Sequence, residues 1–299
     1  MRQILAIFRR EQRAFFTSTM APVIAAGFLV LTGLFYYLFV LGYAEISETT
    51  LRSGRPVFHN LHAGIFHRLY GDVVIFLVFL LPAVTMRLVS GEYRSGRYDL
   101  IASWPVPERH WILGKWMSAM MVAKALLLGT AFYFGVTWLL GGLADAPVRP
   151  DWQPMVTALV GLVLLAAAIA AWGLAASAML EHQAAAYFLG FAVGLGLFLV
   201  GQLEVFLPGV LGRAAGQLAL GNHFLRFAGG VIDLRDVVYF LGLTAVGLSV
   251  AAAGLGQRRL AVTRRGGPWL RVLAVLAVAV FLQLVAERRP LSVDVTPDR

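Results

Sequence analysis

Residues 91–116, GEYRSGRYDLIASWPVPERHWILGKW, hold seven charged side chains: Glu92, Arg94, Arg97, Asp99, Glu108, Arg109 and Lys115, with His110 beside them. The first chemistry to test is phosphate binding. A phosphate-cradling loop needs a Gly, four residues, then Gly-Lys-Ser/Thr. Gly114-Lys115 is followed by Trp116, and Arg109 stands where the first Gly belongs. Nothing here would cradle ATP, and no enzymatic activity is expected of the chain. Metal binding is the second chemistry. His59, His62 and His67 cluster, but Asp72 is the single carboxylate close by, so a wet amphipathic surface is the expected role and no metal site is assigned. The third is docking. Ser95-Gly96 breaks a helix, YDLIAS makes a turn or two, and Trp104-Pro105-Val106-Pro107 forces an extended joint. Leu100, Ile101 and Trp104 would then sit exposed on a short lateral element, a form that suits a groove on a partner protein.

The elements that must hold this stretch are membrane spans. The chain has 299 residues, 59% hydrophobic and 14% charged, against roughly 25% charged in soluble domains. The apolar residues come in runs of about 20, enough to cross a ~30 Å hydrocarbon core as helix. Seven spans are expected, near 22–42, 72–90, 110–140, 155–179, 184–203, 236–256 and 268–286. Residues 3–16 pattern as an amphipathic helix lying in the membrane interface. The polar residues 44–71 are expected to form a loop. Span 2 is expected to run on as helix to Arg94, and Pro107 and Glu108 to open span 3. The absence of cysteine excludes disulfides and thiolate chemistry. The net charge of +9 fits basic loops at anionic headgroups, so no nucleic-acid partner is expected.

Lys and Arg set the expected orientation. With the N-terminus inside, segments 1–21, 87–115, 180–183 and 257–268 carry 13 basic residues, against 10 on the longer opposite segments. Across the last span, Arg258, Arg259, Arg264, Arg265 and Arg271 face Arg288 and Arg289. This puts the 91–116 stretch and the N-terminus in the cytoplasm and the C-terminus outside. Residues 204–235 are too polar to span and too apolar for a free loop, and read as a re-entrant or interfacial segment; Phe224, Phe227 and Asp233 are candidates for an outer gate there. Lys124, inside span 3, could line a pathway or snorkel to the inner face. Gly190 with Gly194, and Gly212 with Gly216, form two GxxxG pairs that serve helix packing within the chain or between copies.

The run Glu92…Ser95-Gly96…Asp99-Leu100-Ile101…Pro105-Val106…Gly114-Lys115 resembles the first cytoplasmic loop of ABC-2-type permeases. There an acidic residue, Gly-Thr, acidic-Leu-Leu and Pro-Val precede Gly-Lys; Arg97 replaces the Thr. HFLRFAGGVIDLRDVVYFL, residues 223–241, is similar to the segment before the last family span in the gliding-motility-associated branch. Together the matches cover roughly residues 1–256. RRPLSVDVTPDR, at the C-terminus, resembles the start of that branch's auxiliary extracytoplasmic protein. The resemblance implies an all-α inner-membrane protein with an interfacial helix in 1–21 and a six-span permease domain over 22–256; the chain departs from the family in PWLRVLAVLAVAVFLQLVAE, long enough to cross once more, which gives a linker, an extra span and a tail over 257–299. It implies a coupling element at 91–109 that docks two ABC ATPase subunits through Glu92, Gly96, Asp99, Leu100, Ile101, Trp104 and Pro105. ATP and Mg would be bound by those partners, and a second permease copy would complete a homodimer. The function implied is ATP-driven export. A membrane anchor transmitting force to an extracytoplasmic complex, or a secondary transporter, would be the alternatives; the latter calls for paired intramembrane carboxylates and internal repeats, and neither is present.

Overall fold

The computed structural model describes residues 2–53, 61–104, 106–143, 150–259, 266–288 and 292–294. The fold is that of an all-α integral membrane protein. Among the described residues, seven helical stretches are long and apolar enough to cross a bilayer: Met20–Thr49, His62–Arg94, Glu108–Gly142, Trp152–Met179, Gln183–Phe206, Leu234–Gln257 and Pro268–Glu287. In chain order the elements begin with α1 (Arg2–Phe16), α2 (Met20–Ser53), a π-helical turn (His62–Phe66) and α3 (His67–Thr85). Next come α4 (Ser90–Arg94), α5 (Arg97–Ala102), α6 (Glu108–Leu143), α7 (Trp152–Met179) and α8 (Gln183–Leu199). The short α9 (Leu203–Phe206), α10 (Val210–Leu218) and α11 (Leu220–Ala228) follow, then β1 (Val231–Asp233), α12 (Leu234–Arg259), α13 (Gly266–Arg288) and β2 (Ser292–Asp294).

The centre of the bundle is α7, and its sequence explains why. The run LLAAAIAAWGLAASAM offers almost no side-chain bulk, so neighbouring backbones come close. A Cβ on Gly247 of α12 would lie 3.0 Å from Ala171, and one on Gly190 of α8 would lie 3.1 Å from the Gly173 backbone. Gly190 and Gly194 therefore pack within the chain, against α7 and Val78 of α3. The three helices α2, α8 and α13 are buried least and form the outer faces of the bundle. A polar seam fastens α2 to α6: Tyr36 stacks on Tyr133 at 5.0 Å and bonds Thr137 at 2.6 Å, while the Tyr133 hydroxyl donates to the Leu29 carbonyl.

Two expectations are corrected here. The polar 44–71 segment is not simply a loop. Helix α2 runs on to Ser53, with Glu48 and Arg52 paired one turn apart at 2.5 Å, and helix resumes by Leu61. Second, α3 does not continue unbroken to Arg94. It ends at Thr85, just after Pro82, and Ser177 of α7 fills the gap by accepting from the Val89 and Ser90 amides and donating to the Met86 carbonyl. Helix α1 is an amphipathic helix with no fully buried residue, one side of which rests on α6. It runs beside α6 in parallel register, Gln3 with His110, Ile7 with Gly114 and Gln12 with Ser118.

α1, α4 and α5 gather at one end of the bundle. α9 to α11 and the strands gather at the other, where β2 pairs antiparallel with β1, Val231 opposite Asp294 and Asp233 opposite Ser292. These are called below the coupling end and the hairpin end. The pairing puts residues 292–294 at the end that carries 204–235, the side expected for the tail.

Candidate functional site

At the coupling end the chain changes direction between α3 and α6, and each turn has a local cause. Gly96 takes φ +68°, a conformation that side-chain-bearing residues avoid, and so ends α4. α5 follows for six residues, and α6 starts after Pro107, whose carbonyl accepts from the His110 amide. Tyr98 anchors α5 from beneath. It is buried between Tyr93 and Trp111, at 4.7 and 6.1 Å, and its hydroxyl reaches the Leu255 carbonyl of α12. Tyr93 in turn donates to the Ala178 carbonyl of α7. Leu100 and Trp104 point away from this anchor and are 69% and 54% exposed. The side chains of Asp99 and Ile101, and the whole of Pro105, lie outside the described residues.

Above α5 sits a buried charge cluster. Lys115 is fully buried, with Nζ 3.0 Å from Glu92, 3.1 Å from Glu11 and bonded to the Leu88 carbonyl. Its ammonium also lies 4.8 Å from the centre of the Trp111 ring. Arg10 closes the circuit, 2.6 Å from Glu92 and 2.7 Å from Glu11. Burying an ion costs several kcal/mol, and two cations on two carboxylates is the arrangement that offsets it. Burial alone would raise the Glu11 carboxyl; Lys115 and Arg10 outweigh that and hold it below the usual carboxylate range. Chemically the cluster is a strut, in which each carboxylate is shared between two cations.

Glu92 is therefore corrected. It does not face a partner but ties α4 to α6 and, through Arg10, to α1. Lys115, Glu11, Arg10 and Tyr98 carry the site without having been singled out as a group from the sequence. A signal for one of them was present: Gly114 before Lys115 is a position where a Cβ would lie 2.9 Å from Ile7 and 3.0 Å from the Ile4 carbonyl, so only Gly lets α1 dock.

Lys124 is exposed on α6, and no ion pair to it occurs among the described residues. Close approaches set its depth: Gly33 meets Tyr133 and Leu29 meets Gly129, so Lys124 is level with residue 24, just over one turn into α2. Helical side chains lean toward the N-terminus, here toward the coupling end. That geometry suits an amine reaching for headgroups.

The hairpin end carries a second cluster. Asp236, fully buried, bonds His223 Nδ1 at 2.6 Å and Arg226 Nε at 2.7 Å. His223 Nε2 meets the Gln217 carbonyl at 2.8 Å, and Tyr239 stacks on the imidazole at 3.9 Å. Asp233, the proposed gate acid, is buried and clamped by Arg235 at 2.6 Å. Burial would raise the Asp233 carboxyl, but the Arg235 hydrogen bonds lower it. Phe224 and Phe227 are buried in the main core; Gly161 of α7 leaves the space that the Phe227 ring fills. They pack and do not border an opening. Gly212 and Gly216 also serve locally, since a Cβ on each would strike the Leu207 carbonyl or the Glu204 carboxylate. His62 is not on a wet surface: it is buried and bonds the Ala228 carbonyl at 2.8 Å. His59 lies outside the described residues. No group of three metal-ligating side chains occurs among the described residues.

No protein-family model matches the chain. No curated protein matches it either. What fold and site define together is a multi-pass, all-α membrane protein with a braced, partly apolar projection at one end.

Proposed function

We propose that the chain is the permease subunit of an ATP-driven export system of the ABC-2 type. One observation carries the reading: Leu100 and Trp104 stand exposed on an element whose opposite side is fixed by Tyr98 to α12 and whose preceding turn is fixed by Glu92 to α6. An exposed apolar contact on a rigid mount is what transmits a push. A partner ATPase would grip α5, and the Glu92–Lys115 strut would carry its displacement into α3 and α6. In this reading the protein sits in a bacterial inner membrane with the coupling end in the cytoplasm and residues 292–294 outside. Two copies pair, two ATPase subunits supply the ATP and Mg, and an auxiliary extracytoplasmic protein meets the tail. The substrate passes between the copies, and this chain contributes no catalytic residue.

The test is a Leu100→Asp/Trp104→Asp double variant. Both side chains are exposed, so the bundle should insert and keep its thermal stability. Co-purification of an ATPase in mild detergent should be lost. A nucleotide-hydrolysing partner retained at the level of the unaltered chain would refute the docking role.

A further inference from the structure

A groove of about 590 Å³ runs between α7, α12 and α13 and ends under α10. It is distinct from both charged clusters. Its volume is about four times that of a cavity that takes one benzene ring, so it suits a chain rather than a ring. Its α12 lining extends from Val238 to Val250, about 18 Å of helix at 1.5 Å per residue. That is close to the depth of one leaflet, half of a ~30 Å core.

The lining is graded. The deep end is Trp172, Val250 and Val272; the end toward the hairpins is Gln217, Gln283 and Glu287. Gln283 Oε1 is itself buried, so the acceptor at this mouth is the Glu287 carboxylate, which lies within electrostatic reach of Arg235. An ammonium seated there gains a charge-assisted hydrogen bond. Water could serve the mouth, yet the walls below are almost wholly apolar and stay dry.

We propose that this groove holds one acyl chain of an amine-headed phospholipid from the leaflet at the hairpin end. The ammonium donates to the Glu287 carboxylate, and the chain descends along α12 to Trp172. α13 then acts as one wall of a lipid site. A choline head has no N–H to donate to Glu287. The site stands on α7, α12 and α13 with α10 at its mouth, and does not depend on the transport reading.

Brominated acyl chains quench tryptophan on contact, and Trp172 is the probe at the groove floor. The purified full-length chain would be reconstituted into phosphatidylcholine vesicles doped with brominated phosphatidylethanolamine or brominated phosphatidylcholine. A Trp172→Phe variant subtracts the other six tryptophans. Brominated phosphatidylethanolamine should quench the Trp172 component at about tenfold lower mole fraction, the factor expected for charge-assisted hydrogen bonds. Glu287→Gln should erase that preference without unfolding the chain, since it changes a partly exposed residue at the mouth. Ala214→Phe, which fills the mouth from exposed α10 without adding a second quenchable indole, should abolish quenching of Trp172 by both lipids. Equal quenching by the two headgroups would reduce the groove to ordinary annular lipid and overturn the proposal. So would absence of quenching, with cross-links from a cysteine at Leu276 showing a second copy or another polypeptide in the groove.

Discussion

At the coupling end, Glu92 is held by Arg10 and Lys115 from 82 and 23 residues away, and Glu11 meets Lys115 across 104 residues. At the hairpin end, Asp236 gathers Arg226 and His223 from 10 and 13 residues away. Both clusters bury a charge fully, Lys115 in one and Asp236 in the other. The difference lies in what each joins. The first fastens three separate elements, α1, α4 and α6, and so makes the entry of the chain, the projection and the longest helix move together. The second fastens one short segment to the helix that follows it. A long-range cluster transmits; a local one shapes.

The largest expected effect breaks the first cluster. Lys115→Met removes the buried ammonium while keeping its volume, and leaves two carboxylates facing one arginine. The cost should be about 3–5 kcal/mol, read as a lowered unfolding midpoint in detergent. Adding Glu92→Gln should recover much of it, because Arg10 and Glu11 then remain as a complete pair. No recovery in the double variant would show that Lys115 acts through Trp111 and the Leu88 carbonyl rather than through the carboxylates.

The same operation at the hairpin end should cost less. Asp236→Asn leaves a side chain that still accepts from Arg226 or His223, and the loss should be about 1–3 kcal/mol. Its signature should be local: faster hydrogen exchange in α10, α11 and β1, with α6 and α7 unchanged. Faster exchange at α4 or α5 would contradict the division between a transmitting and a shaping cluster.

The sequence shows this division only partly. The spans are legible because twenty apolar residues leave few alternatives, and the break at Ser95-Gly96 because glycine alone sits easily at positive φ. The end of α3 at Thr85 and its Ser177 plug are not legible: nothing local says that the Met86 carbonyl and the Val89 and Ser90 amides will find their partner on α7. Glu92 and Lys115 stand 23 residues apart in a stretch full of charge, and nothing in their spacing says that they meet rather than face water. Arg10 and Glu11 look like the wet side of an amphipathic helix, and α1 has no fully buried residue; that these two side chains reach Glu92 and Lys115 is a tertiary fact their pattern does not carry. The hairpin pair fares no better for a different reason. At 13 residues apart, His223 and Asp236 require a turn at Gly229-Gly230 and a strand whose partner lies at 292–294, and a three-residue strand carries almost no pattern.

Gly114→Ala separates the two supports of α1, contact and charge. The added methyl needs Ile7 to move, or α1 to lift from α6. Overpacking of this kind costs about 1–3 kcal/mol, and backbone at Ile4 makes the low end unreachable by a rotamer change alone. The cysteine-free chain allows a single reporter: Ile7→Cys should be labelled slowly in the parent and several-fold faster with Gly114→Ala. Unchanged labelling would mean that the charge cluster alone fixes α1.

The smallest effect concerns acid. Glu11 has its carboxyl held below the ordinary value, about 4.3, by Lys115 and Arg10 against the opposing pull of burial. A depressed folded-state value means that the unfolded chain takes up the proton first as pH falls. The stabilisation from Glu11 is therefore complete above the ordinary carboxylate range and declines only below it, as pH drops through the folded value. From pH 8 to pH 5 the docking of α1 should be flat, and the Ile7→Cys labelling rate constant once corrected for thiol ionisation. Below pH 4 labelling with an acid-tolerant reagent should rise in the parent. Glu11→Gln should cost about 1 kcal/mol at neutral pH, since Glu92 still holds both cations, and should shrink the part of the acid response that belongs to α1. Labelling that rose between pH 7 and pH 5 would point instead to a histidine, with His110 on Gln3 the nearest, and would move control of α1 from the buried cluster to the surface of α6.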